Sequence, residues 1–87
     1  MGHYLIEVTH TPEQCLADLD TVLEQSPGLL QKLAWGCRTG VHMGWAVVEA
    51  PNAADASRQV PPDMRSRTRV VGIQRFTPDE IRALHVK

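Results

Sequence analysis

The stretch HYLIEVTHTPEQ, residues 3–14, holds a strand, a turn and a helix start in unbroken succession. From His3 to Thr9 aromatic and β-branched residues alternate with polar ones. Tyr4, Ile6 and Val8 share one face, and His3, Leu5, Glu7 and Thr9 share the other, which is the pattern of a half-buried strand. Thr11-Pro12 then reads as a helix opening, with a hydroxyl cap before a proline whose fixed φ suits the first turn. Gln14 stands where a capping box wants it, and Glu13 puts negative charge in the first turn.

Working outward, Leu16, Leu19, Val22 and Leu23 define the apolar stripe predicted for the first helix, which Ser26-Pro27-Gly28 ends. Leu30 to Arg38 and Met43 to Ala50 read as two strands, joined by the hairpin loop Thr39-Gly40-Val41-His42. Asn52 caps a short helix carrying Ala53, Ala56 and Val60, which Pro61-Pro62 stops. Arg67 to Phe76 reads as a fourth strand. Thr77-Pro78-Asp79-Glu80 repeats the cap signature and opens a last helix with Ile81, Leu84 and Val86 on its apolar side.

The order is βαββαβ plus a short C-terminal helix, a split β-α-β motif with the ferredoxin-like succession of elements. A right-handed crossover makes strands one and two parallel, with strand three between them. The expected fold is therefore α+β, an antiparallel four-stranded sheet of order 4-1-3-2 with the helices on one face. Tyr4, Ile6, Val8, Ala46, Val48, Val71 and Ile73 are expected beneath the helices. With 87 residues the chain makes one domain, 1–87, whose core is modest.

The bare face of that sheet would show Leu5, Trp45 and Val47 beside His3, Glu7 and Glu49. A solvated sheet face is normally polar, so a second copy of the chain is expected to cover this one. The strand–helix order, the helix-opening His10-Thr11-Pro12-Glu13 and the mixed bare face together resemble the dimeric α+β barrel superfamily. That resemblance rests on topology and implies a homodimer with a cleft for a small ligand; it supplies no activity. Trp45, Leu5, Glu7 and Glu49 would line the cleft, with His10 and His42 near its mouth.

Chain direction carries a second expectation. Strand one ends, the first helix begins and the strand two–three hairpin turns at one end of the sheet. His10, Cys15, Cys37 and His42 therefore gather there from distant parts of the sequence. Two imidazoles and two thiols suit tetrahedral zinc, or copper(I) if the thiols dominate. The two cysteines also suit a reversible disulfide. Against this, Cys15 and Cys37 fit core positions, His42 fits a solvated loop, and the ring of His10 fits a hydrogen bond to backbone at the helix start. The spacing matches no established zinc motif.

Arg65, Arg67 and Arg69 open strand four at the same end. They read either as charge protecting a sheet edge or as an anion clamp. Glu7 and Glu49 fall at opposite ends of antiparallel neighbours, so they do not form a carboxylate dyad; His3 lies nearer Glu49. No serine-centred triad context, phosphate-binding glycine loop, H-E-x-x-H or EF-hand pattern occurs. A net charge of −1 argues against nucleic acid as a partner. No apolar run spans a bilayer, and MGHYLIEVTH has neither a basic n-region nor a cleavage signal. Two cysteines are too few for a disulfide scaffold, so a cytoplasmic setting is expected. Three functions follow as expectations: a small-ligand-binding dimeric domain, a metal-binding or thiol-redox protein, and a structural module whose bare sheet only assembles.

Overall fold

The computed structural model describes residues 1–85, so the apolar position expected at Val86 lies outside the described residues. The strands are β1 (Gly2–Thr9), β2 (Ala34–Trp35), β3 (Met43–Ala50) and β4 (Thr68–Ile73). The helices are α1 (Cys15–Gln25), α2 (Pro27–Leu30), α3 (Ala53–Arg58) and α4 (Pro78–Leu84). The fold is α+β around one four-stranded sheet of order β2-β3-β1-β4, the expected order read from the other edge. Both β1 and β2 run antiparallel to β3, so they run parallel to each other.

Period-two alternation sets the two faces. Ile6 and Val8 of β1 oppose Ala46 and Gly44 of β3, and Ile6, Val8, Ala46 and Val48 are all buried. They join Val22 of α1, Leu29 of α2, Ala56 of α3, and Val60 and Met64 in a single core cluster. Every helix that contributes to the core thus packs on this one face of the sheet.

Local chemistry explains the element ends. The N–H of Thr11 donates to the Gln14 side chain at 2.9 Å, and a 3-10 turn over Pro12–Gln14 leads into α1. Asn52 caps α3 by accepting from the Asp55 N–H at 2.8 Å. A reciprocal Thr77–Glu80 capping box starts α4 as expected. Gly40, at φ 90°, closes the 3-10 turn Cys37–Thr39 in the left-handed conformation that glycine adopts without a Cβ penalty. Gly36 is needed for space, since a Cβ there would lie 2.7 Å from the Val41 carbonyl oxygen and 3.1 Å from the Trp45 ring.

Four expectations are corrected. The second strand shrinks to Ala34–Trp35, because Pro27 starts a further helical turn through Leu30 and Cys37 enters a 3-10 turn. The fourth strand covers Thr68–Ile73 rather than Arg67–Phe76. Its parity is shifted by one: Val70 opposes Ile6 and packs on the core, while Val71 opposes Leu5 and Ile73 opposes His3 on the bare face. In α1 the buried positions are Asp18 and Val22, whereas Leu16 and Leu23 are 69% and 56% exposed.

The last correction has a definite cause. Arg67 grips the Asp18 carboxylate through two bonds, Nη1 to Oδ2 at 2.8 Å and Nη2 to Oδ1 at 2.9 Å. The same guanidinium donates to the Thr9 carbonyl at 2.7 Å. A carboxylate so matched turns inward, and the helix rotates to suit it. Removing one partner of a buried ion pair leaves an uncompensated charge, at a cost of about 3–5 kcal/mol. Asp18→Ala is therefore expected to lower the chemical denaturation midpoint strongly, while Leu16→Ala and Leu23→Ala stay within about 0.5 kcal/mol of the parent. Equal losses for the three variants would refute this orientation of α1.

Candidate metal centre

The site lies where the ends of β1, the start of α1 and the turn between β2 and β3 meet. His10 follows β1 directly, and its backbone N–H donates to the His42 carbonyl at 3.2 Å, tying two site residues together through the main chain. Its side chain is fully buried. Trp35 and His42 flank the ring at centroid distances of 6.0 and 5.8 Å. Nε2 of His10 lies 3.1 Å from Cys37 Sγ, and Nδ1 lies 3.7 Å from Asp18 Oδ2. One imidazole thus bridges a thiol and a carboxylate.

One ligand atom each from His10, Cys37 and His42 fall within 4.8 Å of one another. Nδ1 of His10 and Nδ1 of His42 are both buried without a hydrogen-bond partner. Buried polar atoms normally find partners; the orphaned Nδ1 of His10 faces Asp18, and the nitrogen beside the Cys37 thiol is Nε2. Cys15, the first residue of α1, carries a free, half-buried thiol.

Electrostatics favours the neutral forms of His10 and Cys37. Burial lowers the His10 pKa from its ordinary 6.5; Asp18 opposes this, and His42 and Arg67 add to it. Burial first, then the contact with Cys15, raises Cys37 above its ordinary 9.0. Hydrogen bonding to Asp18 raises Arg67 despite some loss of solvent, so its guanidinium stays charged.

Three of the four residues expected to converge, His10, Cys37 and His42, do so, and Cys15 is not in that group. The ring of His10 contacts side chains rather than the backbone expected near the helix start, because Asp18 occupies the inward side of α1. His42 is half-buried instead of solvated. Asp18 escaped the sequence reading; its signal was the Cys15–Asp18–Val22 spacing, which places a carboxylate on one helical face with a cysteine and a valine.

The other expected residues lie apart from this cluster. Arg65 donates to the Val60 and Arg58 carbonyls, both at 3.0 Å, and so caps the end of α3. Arg67 is taken by Asp18, and Arg69 lies 3.8 Å from Glu7. The three side chains serve three different partners and do not form a shared anion clamp. Glu7 opposes Trp45 across the sheet, while His3 and Glu49 pair at 3.2 Å, so the two glutamates are separated as expected. On the bare face, Leu5, Trp45, Val47, Lys32 and Ala34 line a shallow groove. A second groove of about 500 Å³ is lined by His3, Val47, Ile73, Gln74 and Arg75. Among the described residues no helix is long and apolar enough to cross a membrane.

Compared with known proteins, the chain matches no family model, no curated protein and no solved structure.

The depressed His10 pKa fixes a stability trend. Above pH 6.5 the imidazole is neutral whether the chain is folded or not. As pH falls below that value the unfolded chain takes up a proton first, so folding stability is lost until the lower folded value is passed. Urea midpoints of the metal-free protein, followed from about pH 8 to about pH 5, should fall through this window. His10→Asn should flatten that part of the profile; an unchanged slope in the variant would contradict the assignment.

Proposed function

We propose that this domain binds a soft transition-metal ion, zinc in the first place, through His10, Cys37 and His42, with the Cys15 thiol completing the set. The observation that carries the proposal is the convergence of the three donor atoms within 4.8 Å, with His10 buried and Cys37 and His42 half-buried. Zinc bonded to nitrogen at about 2.0–2.1 Å and to sulfur at about 2.3 Å, in a tetrahedron, requires donor separations of about 3.3–3.8 Å. Two imidazoles with one or two thiolates match zinc better than copper(I), which gains most from sulfur-dominated sites.

Asp18 supports the same reading from behind. A carboxylate facing the second nitrogen of a ligating histidine orients the ring and raises its basicity. Arg67 holds that carboxylate and stays charged, so metal and guanidinium share the neutralisation of the site. With Cys15 in place four protein ligands close the coordination sphere, which favours metal holding or delivery over hydrolytic catalysis at an open position.

The chelator-stripped protein should bind one equivalent of zinc with a Kd of about nanomolar or tighter in a chromophore competition. Affinity should rise about tenfold per pH unit for each thiol proton displaced. Cys37→Ala and His42→Ala should each weaken it by about a hundredfold or more, since changes one shell further out already cost about 10–100-fold. Glu49→Gln should leave it unchanged. Binding that ignores Cys37 and His42 would end the proposal.

The bare sheet face favours assembly as a second element of the reading, with a second copy of the chain as its occupant. Val47 and Ile73 are 46% and 38% exposed on it, and the His3–Glu49 and Glu7–Arg69 pairs offer charges of both signs. Past β4, Phe76, Ile81 and Leu84 are also exposed. A ferredoxin-like arrangement paired sheet to sheet would cover these groups and enclose the grooves beside Trp45 and Val47 as ligand space. Light scattering should give twice the chain mass, and Val47→Asp should give the chain mass with the fold retained. A parent protein that is monomeric at high micromolar concentration would refute the pairing.

A further inference from the structure

We infer that the bare sheet face holds a small organic carboxylate with an elongated apolar body, its charged end seated at Arg75. The inference rests on the reading of that face as ligand space and is independent of the metal centre.

The floor of the site comes from strand parity. Val47 of β3 opposes Leu5 of β1, Leu5 opposes Val71 of β4, and Ile73 opposes His3, so these side chains share the face away from the core. The groove of about 500 Å³ lined by His3, Val47, Ile73, Gln74 and Arg75 has the size of a small-molecule site. Val47 also lines the shallower groove beside Trp45, which reaches Ala34 on β2. The two grooves are therefore parts of one trough that crosses the sheet from β2 to β4. Three strand spacings make that crossing about 14 Å, which suits an elongated apolar body better than a compact one.

Charge decides the head group. Two carboxylates stand on this face, and each already has a partner: Glu49 pairs with His3 at 3.2 Å and Glu7 with Arg69 at 3.8 Å. Arg58, Arg67 and Arg82 are likewise each paired with an acid. Among the described residues no carboxylate pairs with Arg75 at the β4 end of the trough or with Lys32 at its β2 end. The face thus carries a surplus of positive charge even with His3 neutral, in a chain whose net charge is −1. Unmatched cations beside low-dielectric walls concentrate an anion there. Of the two, Arg75 is the better anchor. It lines the more enclosed groove, with the Gln74 amide beside it. Its planar fork meets a carboxylate through two parallel bonds, which an ammonium does not. In a sheet-to-sheet pair the partner's face would roof the trough and take the apolar body out of water.

The test titrates the full chain, by calorimetry, with the sodium salts of hexanoic, octanoic and decanoic acids, and with octanol as the uncharged control. Octanoate should bind saturably, and affinity should rise about two- to fourfold per added methylene. In isotope-labelled protein the amide NMR signals that move should be those of His3, Val47, Ile73 and Arg75, with His10, Cys37 and His42 unmoved. Arg75→Gln should weaken octanoate about tenfold, as loss of a charged hydrogen-bonding partner does, and leave octanol binding and the denaturation midpoint unchanged. Octanoate that never saturates, an equal loss of octanol in Arg75→Gln, or shifts confined to other surfaces would overturn the inference. So would binding to vesicles of anionic phosphatidylglycerol with none to free octanoate. A monomeric protein that still takes up octanoate at Arg75 would refute the pairing and leave the inference standing; a stable pair that takes up none would do the reverse.

Discussion

The buried pair between Asp18 and Arg67 is the constraint on which the rest of the molecule depends. Its partners are 49 positions apart, so it can form only once the sheet has brought the start of α1 against the approach to β4. One guanidinium then satisfies both carboxylate oxygens and the Thr9 carbonyl, which lies next to His10. An ion pair of this kind contributes little net stability over a well-packed apolar substitute. What it does here is fix orientation: it rotates α1 so that Cys15 and Asp18 face the site and Leu16 and Leu23 face away.

From that rotation the metal centre follows in order. Asp18 faces one nitrogen of His10, and the other nitrogen faces Cys37. The His10–His42 main-chain bond holds the loop before β3 against the end of β1, which brings the second imidazole alongside. Burial favours the neutral forms of the His10 imidazole and the Cys37 thiol. A metal would replace the thiol proton between Cys37 Sγ and His10 Nε2, leaving His10 Nδ1 facing Asp18.

Much of the fold was legible because alternation in β1 and β3 is strict: the residues assigned inward, Ile6, Val8, Ala46 and Val48, are buried. Caps at Asn52 and Thr77 were legible because each is a local contest between a side chain and a few backbone groups. Parity in β4 was not, since the adjacent Val70 and Val71 are equally apolar and only pairing with Ile6 decides between them. The face of α1 was misread because hydrophobicity ranks leucine above aspartate, and nothing near position 18 announces Arg67. The site was half legible. Chain direction alone collected His10, Cys37 and His42, whereas the supporting carboxylate required a long-range partner that no local pattern encodes.

The central claim is that imidazole and sulfur meet at one metal ion. X-ray absorption at the zinc edge of the reconstituted protein measures this directly. The account predicts a four-coordinate ion with sulfur at about 2.3 Å and imidazole nitrogen at about 2.0–2.1 Å, the sulfur shell disappearing in the Cys15→Ser, Cys37→Ser double variant. A spectrum of light scatterers only in the parent protein, with no sulfur contribution, would contradict it.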